Sequence, residues 1–134
     1  MSTSRHLSLA SLVAATLLST ACHQETLKYP HSTPEACAQA VSEAFNRTEL
    51  PQLRLLTHPD RRTVLDDHGL DLRQQMKTYD IQSYRLGDRL EIEIKPEQKR
   101  EGRALHLVFS DGYASRENEA VLAFDGGAWW LWKY

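Results

Sequence analysis

Apolar residues recur along this chain with two different spacings. Between residues 34 and 47 they recur every three or four positions, which predicts an amphipathic helix. From Ile81 onward the spacing becomes two, which predicts strands with alternating faces. The pattern therefore predicts a helical first half and a strand-rich second half, the order typical of an α+β domain.

The first helix has a recognisable start. Ser32-Thr33-Pro34-Glu35 combines a capping residue, a proline at the first helical position and an acid in the first turn. Its apolar side is predicted to consist of Ala36, Cys37, Ala40, Val41, Ala44 and Phe45. Its solvent side is predicted to consist of Glu35, Gln39, Ser42, Glu43 and Arg47.

Further helices are predicted before the spacing changes. A leucine cluster after Thr48 predicts a second helix that ends before Pro59, because a residue preceding proline is disfavoured in the helical region. Residues 60–67 predict a short helix or turn closed by Gly69. Residues 70–79 predict a weak amphipathic helix that points Leu72 and Met76 inward.

The second half predicts an antiparallel sheet of four to five strands. Strand patterns occur at residues 81–86, 90–95, 105–109, 120–124 and 128–134. Gly87-Asp88 is expected to end the first strand, and residues 97–102 are expected to form a charged loop. Asp125-Gly126-Gly127 predicts a tight hairpin, since such turns need positive φ angles that glycine adopts easily.

Composition narrows the class of protein. The 134 residues carry 16 basic and 18 acidic side chains, for a net charge of −2, and support a single domain. The absence of a basic excess argues against a nucleic-acid partner. Two cysteines are too few for a disulfide-rich scaffold or a cysteine-based zinc ribbon.

The first 21 residues have the pattern of a secretory signal. They contain no acid, and Arg5 precedes an apolar run at residues 7–18 followed by small residues at 19–21. The run is shorter than the roughly 20 residues that a membrane-spanning helix needs. We therefore expect a cleaved signal peptide over residues 1–21 and no permanent transmembrane helix.

Leu18-Ser19-Thr20-Ala21-Cys22 resembles the lipobox of bacterial lipoproteins, in which cleavage occurs before a cysteine that carries a diacylglyceryl group. The resemblance implies lipidation at Cys22, a short tether over residues 22–33 and one domain over residues 34–134. The alternative is an ordinary signal peptide cut nearby, which leaves Cys22 as a thiol able to pair with Cys37.

The residue after the lipobox cysteine indicates which of the two membranes holds the protein. In the enteric lipoproteins that this chain resembles, Asp at that position retains the protein in the inner membrane, and here it is His23. We expect an outer-membrane lipoprotein with its domain in the periplasm. With Cys22 acylated, Cys37 is an unpaired thiol, and its place on the apolar stripe favours burial over an intermolecular disulfide.

The order of elements carries a second resemblance. An amphipathic helix, short helices before His58-Pro59-Asp60, and a meander ending in Phe124-Asp125-Gly126-Gly127-Ala128-Trp129-Trp130 resemble the nuclear transport factor 2-like superfamily of α+β cones. The resemblance covers roughly residues 34–134 and is closest to small bacterial lipoproteins of that superfamily. It implies helices packed on a curved antiparallel sheet, with a pocket that serves catalysis, binding or dimerisation.

Catalytic members of that superfamily place an Asp and a His in the pocket. The candidates here have plainer explanations: His58 and Asp60 suit carbonyl bonding and helix capping at a helix exit, and Asp66-Asp67-His68 suits a solvated turn. His106 is expected on the exposed sheet face, opposite Glu91 or Glu93. No metal-ligand spacing, phosphate loop or activated serine is present, so we expect no cofactor, no metal and no catalytic residue.

The last predicted strand carries the candidate binding residues. Trp129 shares one face with Leu131 and Lys133, whereas Trp130, Trp132 and Tyr134 share the other. One face must be core, and the second is either covered within the monomer or contacts a partner. Trp129, Trp130, Trp132 and Tyr134 are therefore the binding candidates.

These observations favour a lipid-anchored envelope protein that binds rather than catalyses. Its expected partners are the membrane, through the lipid, and a periplasmic protein or ligand; one version is an inhibitor or immunity protein against a toxic hydrolase. The alternatives are an accessory lipoprotein of an envelope complex and a small periplasmic enzyme using His58 or His106 with a carboxylate.

Overall fold

The computed structural model describes residues 25–134, so the signal segment and Cys22 lie outside the described residues. Within residues 25–134, four α-helices precede the sheet: α1 (Pro34–Asn46), α2 (Leu50–Leu56), α3 (Arg62–Asp67) and α4 (Gly69–Thr78). A 3-10 turn at Pro59–Arg61 joins α2 to α3. Within the described chain, none of these helices has the length and apolar character needed to cross a bilayer.

Four strands follow the helices: β1 (Asp80–Lys95), β2 (Gln98–Ser110), β3 (Ser115–Asp125) and β4 (Ala128–Lys133). They form one antiparallel sheet in the order β1-β2-β3-β4. The α+β class is thereby confirmed, with helices preceding a sheet of four strands.

Helix α1 begins where its sequence predicts. The side chain of Thr33 accepts a hydrogen bond from the Ala36 amide, and Pro34 takes the first helical position. Cys37 is fully buried in the apolar face, as expected. The outward placement of Ser42 is wrong: Ser42 is buried, because the start of β1 packs along this side of α1, one turn from where Asn46 bonds the backbone of Ile81.

Two predicted breaks between strands are also wrong. Gly87-Asp88 does not end a strand, because β1 continues through it with a shift in register between Leu86 and Arg89. Residues 97–102 are not a loop, because β2 begins at Gln98 and the turn is confined to Pro96 and Glu97. Pairing with a neighbouring strand supplies the backbone hydrogen bonds here, so these polar residues need no apolar face to stay extended.

The core lies between the helices and one face of the sheet. It contains the buried side of α1, leucines of α2 and α3, and the inward residues of α4, which are Leu72 and Met76 as predicted. The sheet contributes Ile81, Leu105, Leu107, Ala120, Leu122, Trp129 and Leu131. The hairpin at Gly126 and Gly127 has positive φ at both glycines, as its sequence predicts.

Two segments cover the outer edge of β4. The Trp129 amide donates to the His31 carbonyl at 2.8 Å, and the His58 amide donates to the Leu131 carbonyl at 2.9 Å. His31 belongs to residues 25–31, which we call the strap, and which lies against α2 and β4. The segment before α1 is therefore packed on the domain, and edge pairing protects β4 from other strands.

Candidate functional site

A cavity of about 340 Å³ lies between the helices and the sheet. Its walls are apolar: Val41 and Phe45 come from α1, Leu53 from α2, Leu72 from α4, and Ile81, Leu107, Phe109, Ala120 and Leu131 from the sheet. This volume falls within the range of about 300–1,000 Å³ that is usual for small-molecule sites.

Polar side chains surround the mouth of the cavity. His68 stands at the junction of α3 and α4, Asp71 and Gln75 follow on α4, and Asn118 and Glu119 line the cavity from β3. All five are exposed to solvent. The Glu119 carboxylate points to the outer face of the sheet, where it lies 4.0 Å from Nδ1 of His106. The Asp71 carboxylate therefore stands at the mouth, and within the described chain no Lys or Arg lines the cavity.

Tyr134 completes the mouth. Its side chain lines the cavity while the residue remains 49% exposed. Burial raises the pKa of Tyr134 above its ordinary value, so the hydroxyl stays protonated and able to donate at neutral pH. The cavity thus combines an apolar interior with an acidic, hydrogen-bonding entrance.

His58 is buried but lies outside this cavity. Its Nδ1 accepts a hydrogen bond from the Asp60 amide at 3.1 Å, and its Nε2 lies 2.8 Å from Oδ2 of Asp125. A backbone amide can only donate, so Nδ1 must carry the lone pair and Nε2 the proton. Both ring nitrogens are occupied, and the imidazole has no free position from which to move a substrate proton.

The expected roles of His58 and Asp60 at the helix exit are therefore wrong. His58 was expected to bond terminal carbonyls, and Asp60 to cap the next helix. Instead the His58 ring caps the 3-10 turn, and α3 has no side-chain cap. The ring occupies this position because Asp125, at the β3–β4 hairpin, accepts a hydrogen bond from its other nitrogen.

Asp125 is held by two partners. Besides His58, the Arg100 guanidinium donates from Nε to Oδ1 of Asp125 at 3.0 Å. The hydrogen bond from His58, followed by that from Arg100, holds the pKa of Asp125 below its ordinary value. This ionised carboxylate joins the α2–α3 connection, β2 and the β3–β4 hairpin.

The remaining acid and histidine candidates are dispersed. Asp66 pairs with Arg54 at 2.9 Å, Asp67 is exposed on α3, and only His68 of that trio lines the cavity. His106 lies on the outer face of the sheet, but the expected partners Glu91 and Glu93 are wrong. Its Nδ1 lies 3.4 Å from Oε1 of Glu117, which belongs to the neighbouring strand β3. Glu91 and Glu93 belong to the far half of β1, which does not pair with β2 at His106.

The four aromatic candidates occupy three different environments. Trp129 is 6% exposed and lies in the core, where it packs on Phe124. Trp130 lies against the His31 ring at 4.7 Å and donates from Nε1 to the Asp125 carbonyl. The outer face of β4 is thus partly covered by the chain itself.

Trp132 is covered in the same way. Its ring lies 5.1 Å from the His58 ring, and the Arg61 guanidinium stands 5.4 Å from its centroid. Arg61 also donates from Nε to the Trp132 carbonyl at 3.0 Å. Of the four candidates, Tyr134 alone reaches the cavity.

The residues at the cavity mouth include several that the sequence analysis missed: Asp71, Gln75, Asn118 and Glu119. The spacing of His68 and Asp71 across the start of α4 was the available signal in the sequence. The β3 residues that line the same cavity are brought there by long-range packing. Residues 25–134 contain no group of three His, Cys, Asp or Glu side chains placed to hold a metal ion.

Comparisons with known proteins add no relative: no protein-family model matches the chain, and neither a curated protein nor a solved structure is significantly similar to it.

Proposed function

We propose that this protein is a lipid-anchored binding domain of the bacterial cell envelope. Cys22 carries the lipid in the outer membrane, the domain faces the periplasm, and the protein acts without catalysis. The lipobox-like residues 18–22 support the anchor. Helices packed on one face of an antiparallel meander, with a cavity between them, support a fold of the nuclear transport factor 2-like type.

The cavity carries the binding part of the proposal. Its apolar walls suit a hydrocarbon body, and burying such a body contributes about 25 cal/mol per Å² of apolar surface. Asp71 at the mouth suits a head group that donates hydrogen bonds or is positively charged. The ligand class is therefore a small amphipathic molecule with a cationic or donor head.

The alternative to a small ligand is a protein partner, and an inhibitor or immunity role would require such a partner. The aromatic face that would serve such a partner is partly covered by His31, His58 and Arg61. A small enzyme is the competing class. The His58 ring argues against it, because both of its nitrogens are already hydrogen-bonded. The open cavity favours the small ligand.

Calorimetric titration with octylammonium and octanoate tests the ligand class. These probes share a hydrocarbon body and differ in the charge of the head. We expect octylammonium to bind at least about tenfold more tightly, the factor of one charge-assisted hydrogen bond. The D71N variant should remove the difference, whereas D67N, which changes an exposed carboxylate outside the cavity, should keep it. Failure of both probes to bind would overturn the ligand proposal.

Labelling cells with radioactive palmitate tests the anchor. Label is expected on the wild type and absent from C22A, and globomycin is expected to cause accumulation of the larger precursor. An unacylated amino terminus in the mass spectrum of the mature protein would overturn the lipid part while leaving the cavity proposal standing.

A further inference from the structure

The strap is attached to α2 by one buried side chain. Gln52 is 2% exposed, and its Nε2 donates to Oε1 of Glu25 at 3.0 Å and to the Thr26 carbonyl at 2.9 Å. Its Oε1 accepts from the Lys28 amide at 2.9 Å. The amide therefore clamps the strap at three points within its first four residues.

The rest of the strap is held as firmly. The Tyr29 ring is buried in the core, and its hydroxyl donates to Glu49, which also pairs with the Lys28 ammonium. Two residues after Tyr29, His31 exchanges hydrogen bonds with Trp129: its carbonyl accepts from the Trp129 amide, and its Nδ1 donates to the Trp129 carbonyl at 2.8 Å. The strap thus runs from α2 to β4 as part of the domain.

This attachment leaves very little chain between the domain and Cys22. His23 and Gln24 alone separate Cys22 from Glu25. Three residue steps of at most about 3.6 Å span about 11 Å. The headgroup layer on each side of a bilayer is itself about 5–8 Å thick.

We infer that the strap holds the domain directly against the membrane, with the α2 side facing the phospholipid headgroups. This inference rests on lipidation of Cys22 as proposed above. An acylated Cys22 lies at the boundary of the hydrocarbon layer, so the clamp at Gln52 lies within a few ångströms of the headgroup surface. The cavity mouth is built by α4, β3 and Tyr134, and no residue of the strap lines this cavity.

Attraction between basic side chains and anionic headgroups does not determine this orientation. Two cations on this side are already paired within the chain, Lys28 with Glu49 and Arg54 with Asp66, and the exposed Arg47 beside them is too little charge to hold a surface to anionic lipid. Orientation therefore comes from the short connection, and we expect it to be the same on neutral and on anionic vesicles.

Fluorescence quenching on vesicles tests the orientation. The acylated full protein carries a fluorophore at P51C on α2, at L70C on α4 or at Y113C in the β2–β3 turn, three exposed positions. Native Cys37 stays unlabelled because burial raises its pKa to about 12. On phosphatidylcholine vesicles with a quencher on the headgroup, we expect the label at P51C to be quenched most strongly.

Two variants show whether the short connection causes this contrast. A Gly-Ser insertion of about 20 residues between Cys22 and His23 adds a mean reach of about 25 Å, and should lower quenching at P51C to that of the other sites. Q52A should lower it as well, whereas Q39A, which changes an exposed glutamine of α1, should not. Because Q52A weakens the fold, the insertion is the deciding variant.

The outcomes separate the two proposals. Equal quenching at the three sites on vesicle-bound protein, or no effect of the insertion, would overturn the orientation and leave lipidation intact. Failure to incorporate palmitate would overturn the anchor itself, and the orientation with it.

Discussion

His58 and Asp125 are joined by a hydrogen bond of 2.8 Å between positions 67 residues apart in the chain. The bond connects the exit of α2 to the hairpin between β3 and β4, and Arg100 shares the same carboxylate. The pair has the composition of a catalytic dyad, yet it lies away from the cavity and fastens the helical half of the domain to the sheet.

Removing the His58 ring should therefore cost stability rather than binding. H58A leaves Oδ2 of Asp125 and the Asp60 amide without a partner, and we expect the free energy of unfolding to fall by about 2–4 kcal/mol. Urea denaturation measures this change. H106A, which removes a partly exposed ring on the outer face, should cost less than about 1 kcal/mol. A stable H58A protein with altered ligand affinity would contradict the structural role.

The same pair makes stability depend on acid pH. Hydrogen bonds from His58 and Arg100 lower the pKa of Asp125 in the folded protein, so the carboxylate binds its proton less readily than in the unfolded chain. Its contribution is fully present above the unfolded pKa of about 3.9 and is lost as the pH falls through the lower folded value. D125N should be less stable at pH 7 and should lose less stability between pH 5 and 2.5.

Urea midpoints measured across that pH range check the prediction. D67N provides the control, because the Asp67 side chain is exposed on α3. Parallel pH profiles for D125N and the wild type would show that Asp125 does not contribute.

The Cys37 thiol should be inert in the folded protein. Burial raises its pKa from 9.0 to about 12, which lowers the thiolate fraction at pH 8 about a thousandfold. Iodoacetamide should therefore react with native protein at least that much more slowly than with protein unfolded in urea at the same pH. Rapid alkylation of the native state would show that the side of α1 bearing Cys37 opens readily.

Ser42 and Ser110 should respond to alanine in opposite directions. The Ser42 hydroxyl is buried and has no hydrogen-bond partner within residues 25–134, so S42A should leave stability unchanged or raise it by up to about 1 kcal/mol. The Ser110 hydroxyl accepts from the Gly112 amide at 3.1 Å, so S110A should lower stability by about 1 kcal/mol. A loss in S42A as large as in S110A would reveal a partner for the Ser42 hydroxyl.

Local signals in the sequence were sufficient for the start of α1 and for the hairpin at Gly126. Thr33 and Pro34 act on their own first turn, and glycine supplies a positive φ wherever it stands, so neither feature needs distant contacts. Burial of Cys37 followed from helical spacing alone.

Errors arose where a distant segment decides the outcome. Gly87-Asp88 forms a bulge rather than a turn because β2 continues to pair on both sides of it. The ring of His58 caps a turn because Asp125 accepts its other nitrogen.

The mouth of the cavity could not be predicted for the same reason. Asp71 and Asn118 belong to elements whose relative position depends on packing between helix and sheet. Neither residue carries a local pattern that distinguishes it from an ordinary polar surface residue. The sequence analysis therefore placed the candidate site on the aromatic residues of β4, whereas the cavity lies beside that strand.

The attachment of the strap to β4 has a consequence for biosynthesis. His31 leaves the ribosome 98 residues before Trp129, with which it exchanges hydrogen bonds, and Leu131 must still follow to meet His58. The core between them cannot close until the final strand has been translated. The nascent polypeptide therefore cannot complete its native sheet until almost the whole chain has been synthesised.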